Sequence, residues 1–205
     1  MVLRLLQDWS YLSAREAEQL DAEYLLFRTG LVVSRNHHPD TFLLSELLPG
    51  ILLPQTKVCS PTYGGPLTTL RYAPTRLGTG FEAEMRRLLN HGRHFFLGFG
   101  TKSFTDSWAV FTLLGSEKLV FICVQSKRRI TSSNLTYEDV QQQVKYCTEH
   151  LAGSIWYLII VTDGDSLAGT KLGDNVFIVT GRLWYCGELV INFYCFIVLL
   201  FYCFI

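Results

Sequence analysis

The run LVFICVQSKRR, from Leu119 to Arg129, begins as a buried strand and ends in polar and charged residues. Its opening residues are apolar, which is typical of a central strand covered on both faces. Side chains two positions apart in a strand point to the same side of the sheet, so Gln125 and Lys127 share one face. The run therefore predicts a central strand with an amide and an ammonium group at its carboxyl end.

The segments around this run predict an α/β unit. FEAEMRRLLNHG (81–92) places Phe81, Met85, Leu88 and Leu89 on one helical face, with Gly92 at the helix end. Further strands are predicted in HFFLGFG (94–100), SWAVFTLLG (107–115), SIWYLIIVTDG (154–164) and NVFIVTG (175–181), and a second helix in residues 137–151. The order helix, three strands, helix, then one or two strands is typical of a three-layer α/β fold.

Three further segments are predicted. Residues 1–53 carry apolar residues at helical spacing, with Gly30 as a candidate helix C-cap. Residues 54–75 are rich in proline and glycine and predict a linker to the α/β unit, which covers 76–186. Residues 187–205 form an apolar tail.

The tail leaves three alternatives open. Its last 17 residues hold no charge and would span ~25 Å as a helix, slightly less than a ~30 Å hydrocarbon core. It is read as a C-terminal membrane anchor, as a buried strand pair, or as an extension of an incomplete reading frame. The N-terminus has no signal-peptide pattern and the six cysteines form no CxxC, so an intracellular, reducing location is expected.

Charge is balanced overall and uneven locally. The chain has 18 Lys+Arg and 18 Asp+Glu, which indicates no particular partner. Cations outnumber acids between Phe81 and Arg129, a pattern that suits either backbone-phosphate binding or an ordinary solvated face. The candidate nucleic-acid contacts are Arg86, Arg87, Lys102, Arg128 and Arg129.

Asp106 precedes the strand next to the opening run. If these two strands are antiparallel, Asp106 reaches the space that Gln125 and Lys127 face. Carboxylate and amide oxygens suit a hard cation such as Mg²⁺, and a nearby lysine can orient a water molecule. Hydrolysis of a phosphodiester suits these groups.

This set resembles the PD-(D/E)XK nuclease superfamily, with Glu82 as the helix acid, followed by Asp106 and then Gln125-x-Lys127. Gln142-x-x-x-Tyr146 is similar to the QxxxY motif of the RecB and phage-exonuclease branch. The segments GTGFE, DSWAVF, LVFICVQSK and IIVTDG, within residues 76–180, resemble the nuclease-like domain of retrotransposon hot spot and Crinkler-type proteins.

The resemblance implies a restriction-endonuclease-like core with a mixed four- or five-stranded sheet. It implies Mg²⁺ or Mn²⁺ on Glu82, Asp106 and Gln125, with Lys127 at the attacking water and with Gln142 and Tyr146 completing the catalytic set. It also implies a mobile-element-associated or effector-type protein that cleaves nucleic acid, with DNA favoured over RNA and the nucleus over the cytoplasm.

Two alternatives remain open within this reading. Glu84 is the other candidate for the helix acid, because it lies as close to the apolar stripe as Glu82 does. Gln125 replaces a carboxylate, so the second hypothesis is a catalytically inactive module that binds nucleic acid or a protein partner.

Overall fold

The computed structural model describes most of the α/β region and parts of the N-terminal region. The described residues are 13–35, 41–48, 51, 53–59, 69–72, 80–92, 94–98, 104–127, 135–162, 172–180 and 184. Four helices lie among them, α1 (Ala14–Arg35), α2 (Leu44–Leu47), α3 (Phe81–Asn90) and α4 (Tyr137–His150). The strands are β1 (Thr41–Leu43), β2 (Lys57–Cys59), β3 (Thr69–Tyr72), β4 (Phe95–Gly98), β5 (Ser107–Leu113), β6 (Leu119–Lys127), β7 (Ile155–Thr162) and β8 (Val176–Thr180).

The strands form one mixed sheet around β6. β6 pairs antiparallel with β5 and parallel with β7, and β8 continues the sheet in parallel beyond β7. The other edge of β5 is shared between β4 at one end and β2 at the other; β1 extends β2, and β3 runs parallel to β4. The predicted α/β class with a mixed sheet is confirmed, whereas the described residues contribute eight strands to the sheet rather than four or five.

The extra strands come from the segments predicted to be helical or linker. β1 lies within 1–53, and β2 and β3 lie within 54–75. These strands have only three or four residues each, too few to show a period of their own. Their place in the sheet depends on pairing with strands that are distant in sequence, and local sequence patterns do not predict such pairing.

Helices cover both faces of the sheet. Val120, Ile122 and Val124 of β6 share a core with Leu25 and Val32 of α1. Leu119, Phe121 and Cys123 face the opposite core, which contains buried residues of α3 and α4. The period of two in β6 thus divides its apolar residues between two helical layers.

The first helix shares the core of the sheet. α1 continues to Arg35, so Gly30 lies inside the helix and is not the C-cap that the sequence predicted. Arg28 is buried and donates from Nε to the Leu47 carbonyl at 2.9 Å and from Nη2 to the Glu46 carbonyl at 3.0 Å. Both carbonyls belong to α2, so this side chain ties α1 to the short helix after β1.

The ends of α3 and α4 follow from local sequence. All four apolar residues predicted to share one face of α3 are buried, and Gly92 closes the helix with a φ of 71°. The Thr136 side chain accepts the Asp139 N–H at 3.1 Å, and Asp139 in turn accepts from the Thr136 N–H. In the part of the chain that the structure describes, no helix is long and apolar enough to cross a membrane. The predicted tail, 187–205, lies outside that part.

Candidate functional site

The polar end of β6 lies beside the start of β5. The antiparallel register pairs Ser107 with Val124, and one step outward brings Asp106 opposite Gln125. The Gln125 side-chain amide donates a hydrogen bond to Asp106 Oδ2, and the Ser126 backbone N–H donates to the same oxygen at 2.7 Å. The structure therefore brings together the carboxylate and the amide that the sequence pointed to.

Lys127 completes this group at the carboxyl edge of the parallel strands. By the alternation of β6, Gln125 and Lys127 point to the face that carries α3 and α4. Lys127 is half-buried, and its positive charge acts on Asp106 in the direction that favours the carboxylate. Gln125 is buried, so the carboxylate is enclosed from the β6 side.

The Asp106 carboxyl is strongly perturbed. Its pKa is raised to about 7, first by burial and second by the negative charge of Glu18. The Ser126 N–H, the Gln125 amide and the charge of Lys127 act in the opposite direction, because each stabilises the carboxylate. The fold thus gives this carboxyl group a pKa near 7, and perturbed pKa values of this kind are common at sites for proton transfer or cation binding.

Glu18 is the acidic neighbour that the sequence analysis missed. It lies near the start of α1, is half-buried, and has its own pKa raised by burial and partly lowered by the charge of Arg15. Residues 17, 21, 25, 28 and 32 of this helix are all buried and mark the stripe that packs on the sheet. The apolar residues of α1 are not confined to this stripe, so the sequence does not single out Glu18 as an acid that faces the sheet.

The predicted helix acid lies elsewhere. Glu82 pairs with Arg86 at 2.7 Å, and Glu84 pairs with Arg87 at 2.8 Å, both within α3. Among the described residues, the acid whose charge acts on Asp106 is Glu18, and neither acid of α3 has that effect. The Glu82 carboxylate is engaged by Arg86 of its own helix, and its assignment to the site stays a prediction.

Comparison of the chain with protein-family models, curated proteins and solved structures gave no match. What the site can do is therefore judged from its own groups.

Gln142 and Tyr146 lie one turn apart on α4, as predicted, and both are exposed. The Tyr146 ring stacks on His150, with centroids 6.2 Å apart and planes inclined by 17°. Gln143, between them in sequence, turns inward, and its Oε1 is buried with no hydrogen-bond partner among the described residues. Gln142 and Tyr146 thus form part of the outer surface of α4. The buried amide oxygen belongs to Gln143.

The predicted nucleic-acid contacts divide into two groups. Arg86 and Arg87 are engaged in the ion pairs of α3. Lys102, Arg128 and Arg129 lie outside the described residues.

The donor set near Asp106 suits a hard cation only in part. Searched over the described ranges, no group of three or more His, Cys, Asp or Glu residues is arranged to hold a metal. The negative charge of Glu18 raises the pKa of Asp106, and a divalent cation at Asp106 would act in the opposite direction. The Gln125 amide presents its nitrogen to Asp106, so its oxygen would have to turn inward to become a ligand.

Proposed function

We propose that the chain is a metal-dependent nuclease with a restriction-endonuclease-like core, built around Asp106, Gln125 and Lys127. The observation that carries this proposal is that these three residues meet at the end of β6, where the pKa of the Asp106 carboxyl group is raised to about 7. Glu18, on α1, adds a negative charge that acts on Asp106. The substrate is nucleic acid, with DNA favoured over RNA.

Each residue then has a distinct task. Mg²⁺ or Mn²⁺, when bound, lowers the pKa of a water molecule and stabilises charge on the phosphate. Asp106 and the Gln125 amide oxygen would hold the cation at the end of β6. Glu18, on α1, would contribute its negative charge, which acts on Asp106. Lys127 points to the same face and orients the attacking water or the phosphate oxygen.

The test is cleavage of labelled single- and double-stranded DNA in Mg²⁺ and in EDTA. Lys127→Ala is expected to reduce the magnesium-dependent rate by about 100-fold or more, the usual contribution of a positioned catalytic group. The matched control is Lys118→Ala, an exposed lysine directly before the other end of β6, which should cleave like the unaltered chain. Equal rates for both variants would contradict the proposal.

One observation favours a second function, a catalytically inactive module that binds nucleic acid or a protein partner. The Gln125 nitrogen neutralises part of the charge that a cation would otherwise meet, since it donates to the Asp106 oxygen. Binding of DNA in the absence of metal, together with no heat of Mg²⁺ or Mn²⁺ binding, would favour this function over hydrolysis.

An intracellular and nuclear location follows as part of the nuclease proposal, because nucleic acid is the substrate. A fluorescent fusion of the full chain tests it, since fluorescence confined to a membrane fraction would instead support the anchor reading of residues 187–205.

A further inference from the structure

A short series of aromatic rings leads from the surface of α4 into the core beside the site. Tyr146 is 36% exposed and stacks on His150. His150 in turn contacts Phe104, with ring centroids 6.1 Å apart. Phe104 is buried and packs on Trp108 at 4.9 Å and on Phe81 at 5.6 Å. The outer ring is therefore backed by fixed aromatic side chains.

This series ends next to the candidate site. Phe104 is two residues before Asp106, and α4 packs on the same face of the sheet to which Gln125 and Lys127 point. A polynucleotide whose phosphate lies at Asp106 and Lys127 would therefore lie on the face of the sheet that α4 covers.

The alternative to a ligand-binding role is that Tyr146 is an ordinary surface tyrosine. Tyr137, at the start of the same helix, serves as an example because it is 55% exposed and has no ring contact within the described residues. Tyr146 differs in having the nearly parallel His150 ring beside it, with centroids 6.2 Å apart, and the buried Phe104 ring in contact with His150. A ring held in one orientation loses less conformational entropy when a ligand stacks on it.

We propose that Tyr146 and His150 form a base-stacking platform, and that the substrate of the adjacent site is single-stranded nucleic acid. This inference rests on the proposed function, because it takes the site at Asp106 as the position of the phosphodiester. A base offers its flat face to a side chain only when it is unpaired and unstacked, so the platform favours single strands over duplex.

The experiment measures binding without cleavage. Fluorescence polarisation of a labelled oligothymidine is followed in EDTA, with the full chain and its variants. Tyr146→Leu should weaken binding at least about fivefold, the loss expected for one base–aromatic stack. His150→Leu should weaken it in the same direction, because the outer ring loses its support.

The matched control is Tyr137→Leu, which should bind like the unaltered chain. A second probe is the same backbone with abasic positions, on which Tyr146→Leu should have no effect. An equal loss in the Tyr137 variant, no loss in the Tyr146 variant, or no binding of single strands by the unaltered chain would overturn the platform.

Failure of the platform and failure of the nuclease are distinguishable. If Tyr146 has no effect on binding while Lys127 is needed for cleavage, the nuclease stands and the platform is wrong. If the Tyr146 effect is present and no cleavage occurs in Mg²⁺, the platform belongs to an inactive binding module.

Discussion

Replacing Asp106 by asparagine removes a carboxylate that the fold makes costly to ionise. The Asp106 pKa is about 7, compared with an ordinary value of 3.8. An asparagine oxygen in the same place can still accept from the Ser126 N–H and from the Gln125 amide, which donate to Asp106 Oδ2. The change therefore removes the charge and keeps the hydrogen-bond acceptor.

The direction of the pH effect follows from proton binding. An unfolded Asp106 loses its proton near pH 4, whereas the folded one keeps it until about pH 7, so the folded state binds more protons in this window. The contribution of Asp106 to the free energy of unfolding therefore falls as pH rises from 4 to 7 and stays low above pH 7. The difference of roughly three pKa units corresponds to at most about 4 kcal/mol.

The assay is urea unfolding of the metal-free chain in EDTA, at several pH values between 4 and 8. Asp106→Asn should be more stable than the unaltered chain at pH 8, by up to about 4 kcal/mol, and the gain should vanish near pH 4. The gain in Asp106→Asn is measured relative to the control Asp174→Asn, the same substitution at an exposed loop position. A loss of stability in Asp106→Asn at pH 8, or a gain independent of pH, would refute the reasoning.

Three further predictions concern the surroundings of the site. Glu18→Gln should lower the pKa of Asp106, because it removes a negative charge that raises it, whereas Glu82→Gln should leave it unchanged; carbon NMR of the carboxyl group measures both. At pH 8, where Asp106 is ionised, Gln125→Glu should cost about 2 kcal/mol of unfolding free energy in EDTA, because a hydrogen bond to a charged group is lost. Mn²⁺ should restore part of this loss, and equal stability with Mn²⁺ and with EDTA would contradict the prediction. Arg28→Met should cost about 2–3 kcal/mol in urea unfolding, because the buried Leu47 carbonyl and the part-buried Glu46 carbonyl lose a charged donor; an unchanged midpoint would contradict that role.

Much of the α/β region could be predicted from local sequence. The apolar run ending in Gln125 and Lys127 marked a central strand, and the period of two correctly assigned these side chains to one face. The turn between β5 and β6 is short, so an antiparallel pair that brings Asp106 to Gln125 followed from connection length. Capping residues and the apolar stripe of α3 set the helix bounds.

The helix acid and the outer strands could not be predicted in the same way. Glu18 reaches Asp106 across many intervening residues, and only the docking of α1 on the sheet brings the two charges together. The apolar residues of α1 are spread around the helix, and Phe27 is exposed. The sequence therefore shows no single apolar face that would predict the packing of α1 on the sheet. The shortest strands, β1 and β2, owe their conformation to their partners.

The most direct test of the central claim is a calorimetric titration of the unaltered chain with Mn²⁺ at pH 8. The site at Asp106 and Gln125 predicts saturable binding that disappears in Asp106→Asn and persists in Asp174→Asn. No heat of binding in the unaltered chain, or the same affinity in both variants, would contradict a metal site at the end of β6.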